Sequence, residues 1–249
     1  MKKILKNIFL FVLIVVFLFS LYKIILYIVQ TNTSKELNNK IISEVIIENS
    51  IITSNSNNET KIKLPFKIDF QKLYNMNTDI KGWIYLENSP INYPILQSTD
   101  NDYYLHNGVD KKNNVAGSIF LDYENNGDFS DKNIIIYGHN MKNDTMFGTL
   151  QDYRSQDYFN NHNKMYLMSP TKNYSIEIFA GFTISSDNSI YSLTENNINQ
   201  EQIAQYMKNS DFNSDVIFDE NDKIIILSTC SYDYKDARYV VMGKMIEIV

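Results

Sequence analysis

The chain has 249 residues, 44% of them hydrophobic, with one cysteine, three histidines and a formal net charge of −6. That acidic balance, with basic residues scattered apart from an N-terminal cluster, lacks the electrostatic footprint of a nucleic-acid binder. A lone cysteine excludes an internal disulfide, and no His-Glu-x-x-His or paired-cysteine spacing marks a zinc site.

Lys2, Lys3 and Lys6 precede an apolar run from Ile8 to Val29, interrupted only by Ser20 and Lys23. A helix needs about 20 apolar residues to span a bilayer. The preceding lysines orient such a helix with its N-terminus in the cytoplasm and the rest of the chain outside. A cleaved signal peptide is the competing reading. However, the residues that follow the first part of the run are Tyr22, Lys23, Ile24 and Ile25, which offer no small-x-small cleavage site. Residues 1–30 are therefore expected to form a retained transmembrane anchor. Residues 31–64 read as an extracellular tether that holds a domain clear of the membrane surface. It would be helical over Ser34 to Glu48, with Ile41, Ile42, Val45 and Ile46 on one face, and flexible over Ser54 to Thr60.

The remaining residues, 65–249, carry a mainly β pattern with helical insertions. A short helix is expected over Asp69 to Met76. Strand-like runs follow at Gly82–Leu86, Ile91–Leu96, Ser118–Asp122, Asn133–Tyr137, Met165–Met168, Tyr174–Ser185, Lys223–Thr229 and Tyr239–Val249. About eight short strands separated by turn residues point to an antiparallel barrel or sandwich. Pro94 suggests an edge position for its strand. Helices are expected at Met141–Leu150, Gln156–Asn161 and Gln200–Lys208. The last has Asn199 as N-cap, Gln202 in the reciprocal capping position, and Ile203, Tyr206 and Met207 on a face that packs on the barrel.

Three residues suit covalent chemistry. Cys230 ends an apolar strand, and His139 follows another at Tyr137-Gly-His-Asn-Met141. Arg238 opens the strand after Cys230. Two strand ends and a returning strand can meet at one rim of a barrel. A thiolate there attacks a carbonyl carbon, an imidazole transfers protons near neutral pH, and a permanent cation stabilises an oxyanion. Each has a bland alternative: a buried structural thiol, a loop histidine, or a surface cation paired with Asp233 or Asp236. Those two aspartates are equally candidates to orient His139. His106 and His162 lack reactive neighbours in sequence and read as structural. On the residues alone, an exported hydrolytic cysteine peptidase and a non-catalytic surface binding module both remain open.

The stretch Leu227-Ser-Thr-Cys230 with Arg238 resembles the active-site signature of sortases, Thr-Leu-x-Thr-Cys, with Ile226 in place of the first threonine. Asp79-Ile-Lys-Gly-Trp-Ile84, Ile91-Asn-Tyr-Pro94, Asp102-Tyr-Tyr-Leu-His106, Ala116-Gly-Ser-Ile-Phe-Leu-Asp122, Tyr137-Gly-His-Asn-Met141 and Met146-Phe-Gly148 resemble class B of that family, over roughly residues 66–249. The resemblance implies a sortase-type closed β-barrel with His139, Cys230 and Arg238 as the catalytic triplet, and Leu227, Ser228, Thr229 and Asn140 near the substrate. It also implies that the helix at Gln200–Lys208 lies over the substrate groove, and that no metal or organic cofactor is needed. The reaction would be cleavage of a C-terminal sorting signal after threonine. A thioester on Cys230 would then pass the surface protein to an amine of a lipid-linked peptidoglycan precursor. The loops at Asn88–Asp102 and Ser186–Asn199 would shape specificity.

Overall fold

The computed structural model describes residues 2–48, 64–192, 198–219 and 221–248. The expected linker at Ser54–Thr60 lies outside them.

One continuous helix, α1 (Lys2–Val45), opens the chain and leads into β1 (Ile46–Glu48), which pairs antiparallel with β2 (Phe66–Ile68). Next come α2 (Phe70–Met76), β3 (Ile80–Leu86), β4 (Asn92–Leu96), α3 (Tyr103–His106), β5 (Ile119–Leu121) and β6 (Asn133–Tyr137). A 3-10 helix (Gly148–Arg154), α4 (Gln156–Asn161), β7 (Lys164–Met168) and β8 (Asn173–Ser185) follow. A short 3-10 turn (Ser189–Tyr191), α5 (Gln200–Lys208), β9 (Lys223–Cys230) and β10 (Ala237–Ile248) complete the order.

Eight strands close into a barrel in the order β10-β8-β7-β3-β4-β5-β6-β9. Its sheet is mixed rather than antiparallel, because β4 with β5 and β6 with β9 run parallel. Both parallel pairs are joined by long connections that contain helices, as a crossover requires. β4 is therefore not an edge strand. Pro94 is tolerated because it pairs only with Trp83 of β3, and the ladder to β5 starts one residue later at Ile95.

Strand alternation divides the side chains. Ile134, Ile136, Ile225, Leu227, Tyr239 and Val241 fill the barrel interior. Ile135, Ile224, Ile226, Val240 and Met242 face outward into a second apolar layer with Phe182 and Ile203 of α5. Burial on both faces explains why these strands read as unbroken apolar runs. α5 begins with the expected capping box between Asn199 and Gln202, and its Tyr206 stacks on Phe182 at 5.5 Å.

Two further expectations change. Met141–Phe147 is not helical. Asp144 and Met146 adopt left-handed backbone, with φ of 61° and 55°, so the chain loops back and Phe147 N–H donates to the His139 carbonyl. Helix starts only at Gly148, while Met141, Met146 and Phe147 plug the barrel core. Residues 31–45 of the expected tether also do not hang free. Ile41 and Val45 pack with Trp83, Leu96, Tyr104 and Phe120, Asn38 Nδ2 donates to the Asn92 carbonyl at 3.2 Å, and Lys72 Nζ to that of Glu44 at 2.9 Å.

Candidate active site

Three neighbouring strands set the site. β9 pairs antiparallel with β10, and Arg238 lies opposite Cys230 in register. On its other side β9 pairs parallel with β6, with Tyr137 opposite Ser228 and Gly138 N–H donating to the Ser228 carbonyl at 3.1 Å. Continuing that register by two residues brings His139 level with Cys230. In each strand the interior residues are an odd number of steps from the site residue: Leu227 and Thr229 in β9, Ile136 in β6 and Gly138 after it, Tyr239 in β10. Cys230, His139 and Arg238 therefore share the outward face. All three are partly exposed and line one cleft of about 310 Å³ on the barrel wall. Gly138 faces inward, where a Cβ would come within 2.4 Å of Ile119 Cδ1 and 2.8 Å of Phe147, so only glycine lets the strand end there.

The cleft walls come from two loops. The β4–β5 connection supplies Asn101 and Leu105, and the segment after β8 supplies Ser186 and Tyr191. These residues belong to the expected specificity loops or their border. The Tyr191 hydroxyl meets Ser228 Oγ at 2.8 Å, and burial raises its phenol to about 12, so it remains a neutral hydrogen-bonding group. No residue of α5 lines the cleft; the helix packs beside it on β8.

His139 Nε2 lies 2.7 Å from the Leu105 carbonyl oxygen. A carbonyl only accepts, so Nε2 carries the proton and Nδ1 holds the lone pair of the neutral ring. Burial lowers the imidazole's pKa below its ordinary value, opposed by the Leu105 bond and assisted by the neighbouring His106. The neutral base is thus the resting form near neutral pH. Gly117 packs behind Leu105 with a φ of 55°, and a Cβ there would come within 2.6 Å of the Leu105 carbonyl oxygen and 2.8 Å of that of Tyr104.

The Cys230 carbonyl accepts two side-chain amides, from Asn140 Nδ2 at 2.9 Å and Gln151 Nε2 at 3.2 Å. Asn140 thus ties the histidine loop to the nucleophile's backbone rather than lining the cleft. Among the other residues expected near substrate, Ser228 and Thr229 line the cleft, with the Thr229 hydroxyl turned inward and unpartnered. Leu227 is fully buried in the barrel interior, because it sits one step out of phase with Ser228.

Neither aspartate orients His139. Asp233 pairs with Arg154 at 2.5 Å and also takes hydrogen bonds from Ser231 and Thr183, which together hold its carboxyl near 2. Asp236 occupies a left-handed turn, and its carbonyl accepts from Ser186 N–H. Among the described residues Arg238 makes no ion pair; its Nη1 donates to the Ala237 carbonyl at 3.0 Å, and the residue lines the cleft. His162 stacks on Tyr158 at 4.0 Å, away from the cleft, and His106 is exposed beside Asp102. Leu105 and Gln151 were not foreseen as parts of this site, whereas Tyr191 lies in the expected loop Ser186–Asn199. Leu105 acts through its backbone, and Gln151 arrives from the 3-10 helix Gly148–Arg154. No cluster of three or more potential metal-ligating side chains occurs among the described residues.

Residues 84–246 match the sortase domain family. The chain belongs to the sortase family. Sortase B of Listeria monocytogenes is 36% identical over 237 residues, covering 93% of this chain and 92% of that protein. Sortase B of Staphylococcus aureus is 34% identical over 183 residues, covering 72% and 75%. The Staphylococcus aureus sortase B–substrate complex superposes with a TM-score of 0.67 at 33% identity, covering 72% of this chain and 85% of that one. The enzyme is accordingly a class B sortase, a transpeptidase of cell-wall protein anchoring. Its apolar N-terminal helix is that of a membrane anchor or a signal sequence.

Proposed function

We propose that this sortase cleaves a C-terminal sorting signal after its threonine and joins the surface protein, through a Cys230 thioester, to an amine of a lipid-linked peptidoglycan precursor. One observation carries the reading: Cys230, His139 and Arg238 lie abreast on the outward face of three adjoining strands, in one cleft.

The steps follow from the groups present. Cys230 Sγ bonds to the scissile carbonyl carbon while its proton moves to His139 Nδ1. The carbonyl oxygen becomes an oxyanion, and Arg238, which pairs with no carboxylate among the described residues, donates to it. Collapse breaks the C–N bond, and the departing amine takes the proton from the imidazolium. The acceptor amine then attacks the thioester and loses its proton to the same nitrogen. Expulsion of the sulfur returns that proton to Cys230. The Asn140 and Gln151 bonds hold the Cys230 backbone through both halves, and Ser228 and Tyr191, with the Thr229 backbone between Ser228 and Cys230, form the surface against which the sorting peptide lies.

Lys2, Lys3 and Lys6 favour a cytoplasmic N-terminus, with residues 1–30 as the anchor and the barrel outside, in a Gram-positive envelope. Confinement at one membrane face raises the effective concentration of enzyme, surface protein and lipid-linked acceptor together.

The test uses labelled peptides bearing Pro-x-Thr and related motifs, with and without triglycine, followed by mass spectrometry. An adduct on Cys230 and a triglycine-bearing product are expected, and Cys230→Ala should give neither. Product that never incorporates the amine would make the enzyme a hydrolase. Amine incorporation by Cys230→Ala would remove the thioester.

A further inference from the structure

The notion of a domain standing clear of the bilayer fails on α1. The helix does not break at the end of its apolar run; it continues to Val45 against the barrel. About 20 residues counted from Ile8 cross the hydrocarbon and end near Tyr27, and the headgroup layer adds about 5–8 Å, or roughly four to five residues. Yet the covered face of α1 already begins at Leu26, continues at Gln30, and leaves Thr31 only 6% exposed. Asn114 Nδ2 donates to the Gln30 carbonyl at 3.4 Å. The loop carrying Asn114 is thus level with the headgroups.

That loop is built to keep its place. Gly108 N–H donates to the Lys112 carbonyl and Asn114 N–H to that of His106, while Asn77 Nδ2 donates to the Val109 carbonyl at 2.8 Å. Beside Asn114, Val115 stands 41% exposed. The other end of the same loop is α3, whose Leu105 carbonyl receives His139 Nε2.

We propose that residues 107–117 are seated in the headgroup layer of the outer leaflet, with Val115 inserted and α1 as a rigid strut. The partner is the lipid surface itself. This seat places the Leu105 wall of the cleft one loop away from the membrane, where a lipid-linked amine arrives. The proposal rests on reading α1 as a membrane span.

Brominated phospholipids test it on the full-length chain in vesicles. The native protein has one tryptophan, Trp83, fully buried. Val115→Trp adds a probe at the seat and Lys112→Trp a second one in case the first disturbs the loop. Val16→Trp reports the span, and Ile217→Trp reports an exposed site whose carbonyl is bound by Lys244 of β10, across the barrel from the strands that α1 covers. Shallow bromines should remove most of the emission at 115 and 112, deep bromines that at 16, and neither that at 217. A glycine-rich insertion after Val29 should abolish quenching at 115 and leave it at 16. Positions 115 and 112 as bright as 217, with 16 quenched, would overturn the seat while sparing the span. An unquenched 16 would overturn the span and the seat with it. Quenching at 115 that survives the insertion would overturn the strut.

Discussion

The outward strip formed by β6, β9 and β10 and the docked C-terminal part of α1 both place their side chains by a simple period, yet they obey different constraints. In the strip, each side chain's face is fixed by a period of two, so one register error would turn Cys230 into the core. In α1, Ile41 and Val45 mark an apolar stripe whose partners, Trp83, Leu96 and Phe120, lie far along the chain. The strip gains its meaning from local order; the helix gains its meaning only from what it meets. A strand-borne site is therefore sensitive to single polar groups, and the helix to shape and volume.

The largest effect should come from Arg238→Met, with kcat/KM for peptide and triglycine falling about 10²–10³-fold, the loss of one oxyanion donor. Its melting temperature should stay near that of the parent, since Arg238 points outward, makes no ion pair among the described residues and gives up only the bond to the Ala237 carbonyl. A collapse in stability instead would make Arg238 a structural cation. Next comes pH. His139's pKa is lowered by burial, so its native form binds fewer protons than its unfolded form. Activity that needs the neutral base should hold through about pH 6.5, the ordinary histidine value, then fall about tenfold per unit below the depressed pKa. Stability contributed by this group is complete above the unfolded value and is lost as pH falls through the folded one. An NMR titration of the ring with a midpoint above 6.5 would refute both.

Smaller is the joint change Asn140→Ala and Gln151→Ala, which strips the Cys230 carbonyl of two bonds. At about 0.5–1.5 kcal/mol each, kcat should drop roughly tenfold with KM little altered, and alkylation of Cys230 should slow. A change in KM alone would place Asn140 on the substrate instead. On the helix side, Ile41→Val should cost about 0.5–1.5 kcal/mol in urea unfolding and leave turnover of a soluble peptide unchanged. No loss of stability would restore the free tether. The smallest effect belongs to Asp233→Asn, which weakens the half-exposed clamp on Arg154 and should alter kcat/KM by no more than a few-fold. Because that carboxyl titrates near 2, acidifying the parent to about pH 4, near the ordinary carboxylate value, should not reproduce the variant.

Much of this was readable before any fold was known. All eight barrel strands lie where β-branched and apolar runs stand between turn residues, α4 lies at its expected residues, and α5 matches its cap and periodicity. The resemblance to sortases picked out Cys230, His139 and Arg238, and the register places them on one face. The Met141–Phe147 segment misled because its apolar residues plug the barrel from a loop, and left-handed backbone at Asp144 and Met146 leaves no periodic trace. Leu227 misled because proximity to Cys230 in sequence says nothing about face. Leu105 was invisible as a partner of His139, since it acts through a carbonyl that every residue possesses.

By itself the sequence determined the strands, the apolar helix and the residue types able to perform acyl transfer, because these follow from short-range periodicity and intrinsic side-chain chemistry. Only the tertiary structure decided the parallel pairings, the tautomer of His139, the occupation of Asp233 by Arg154 and the docking of α1. Those depend on contacts between segments distant along the chain, where burial and hydrogen-bond geometry select one partner among several that composition alone would allow.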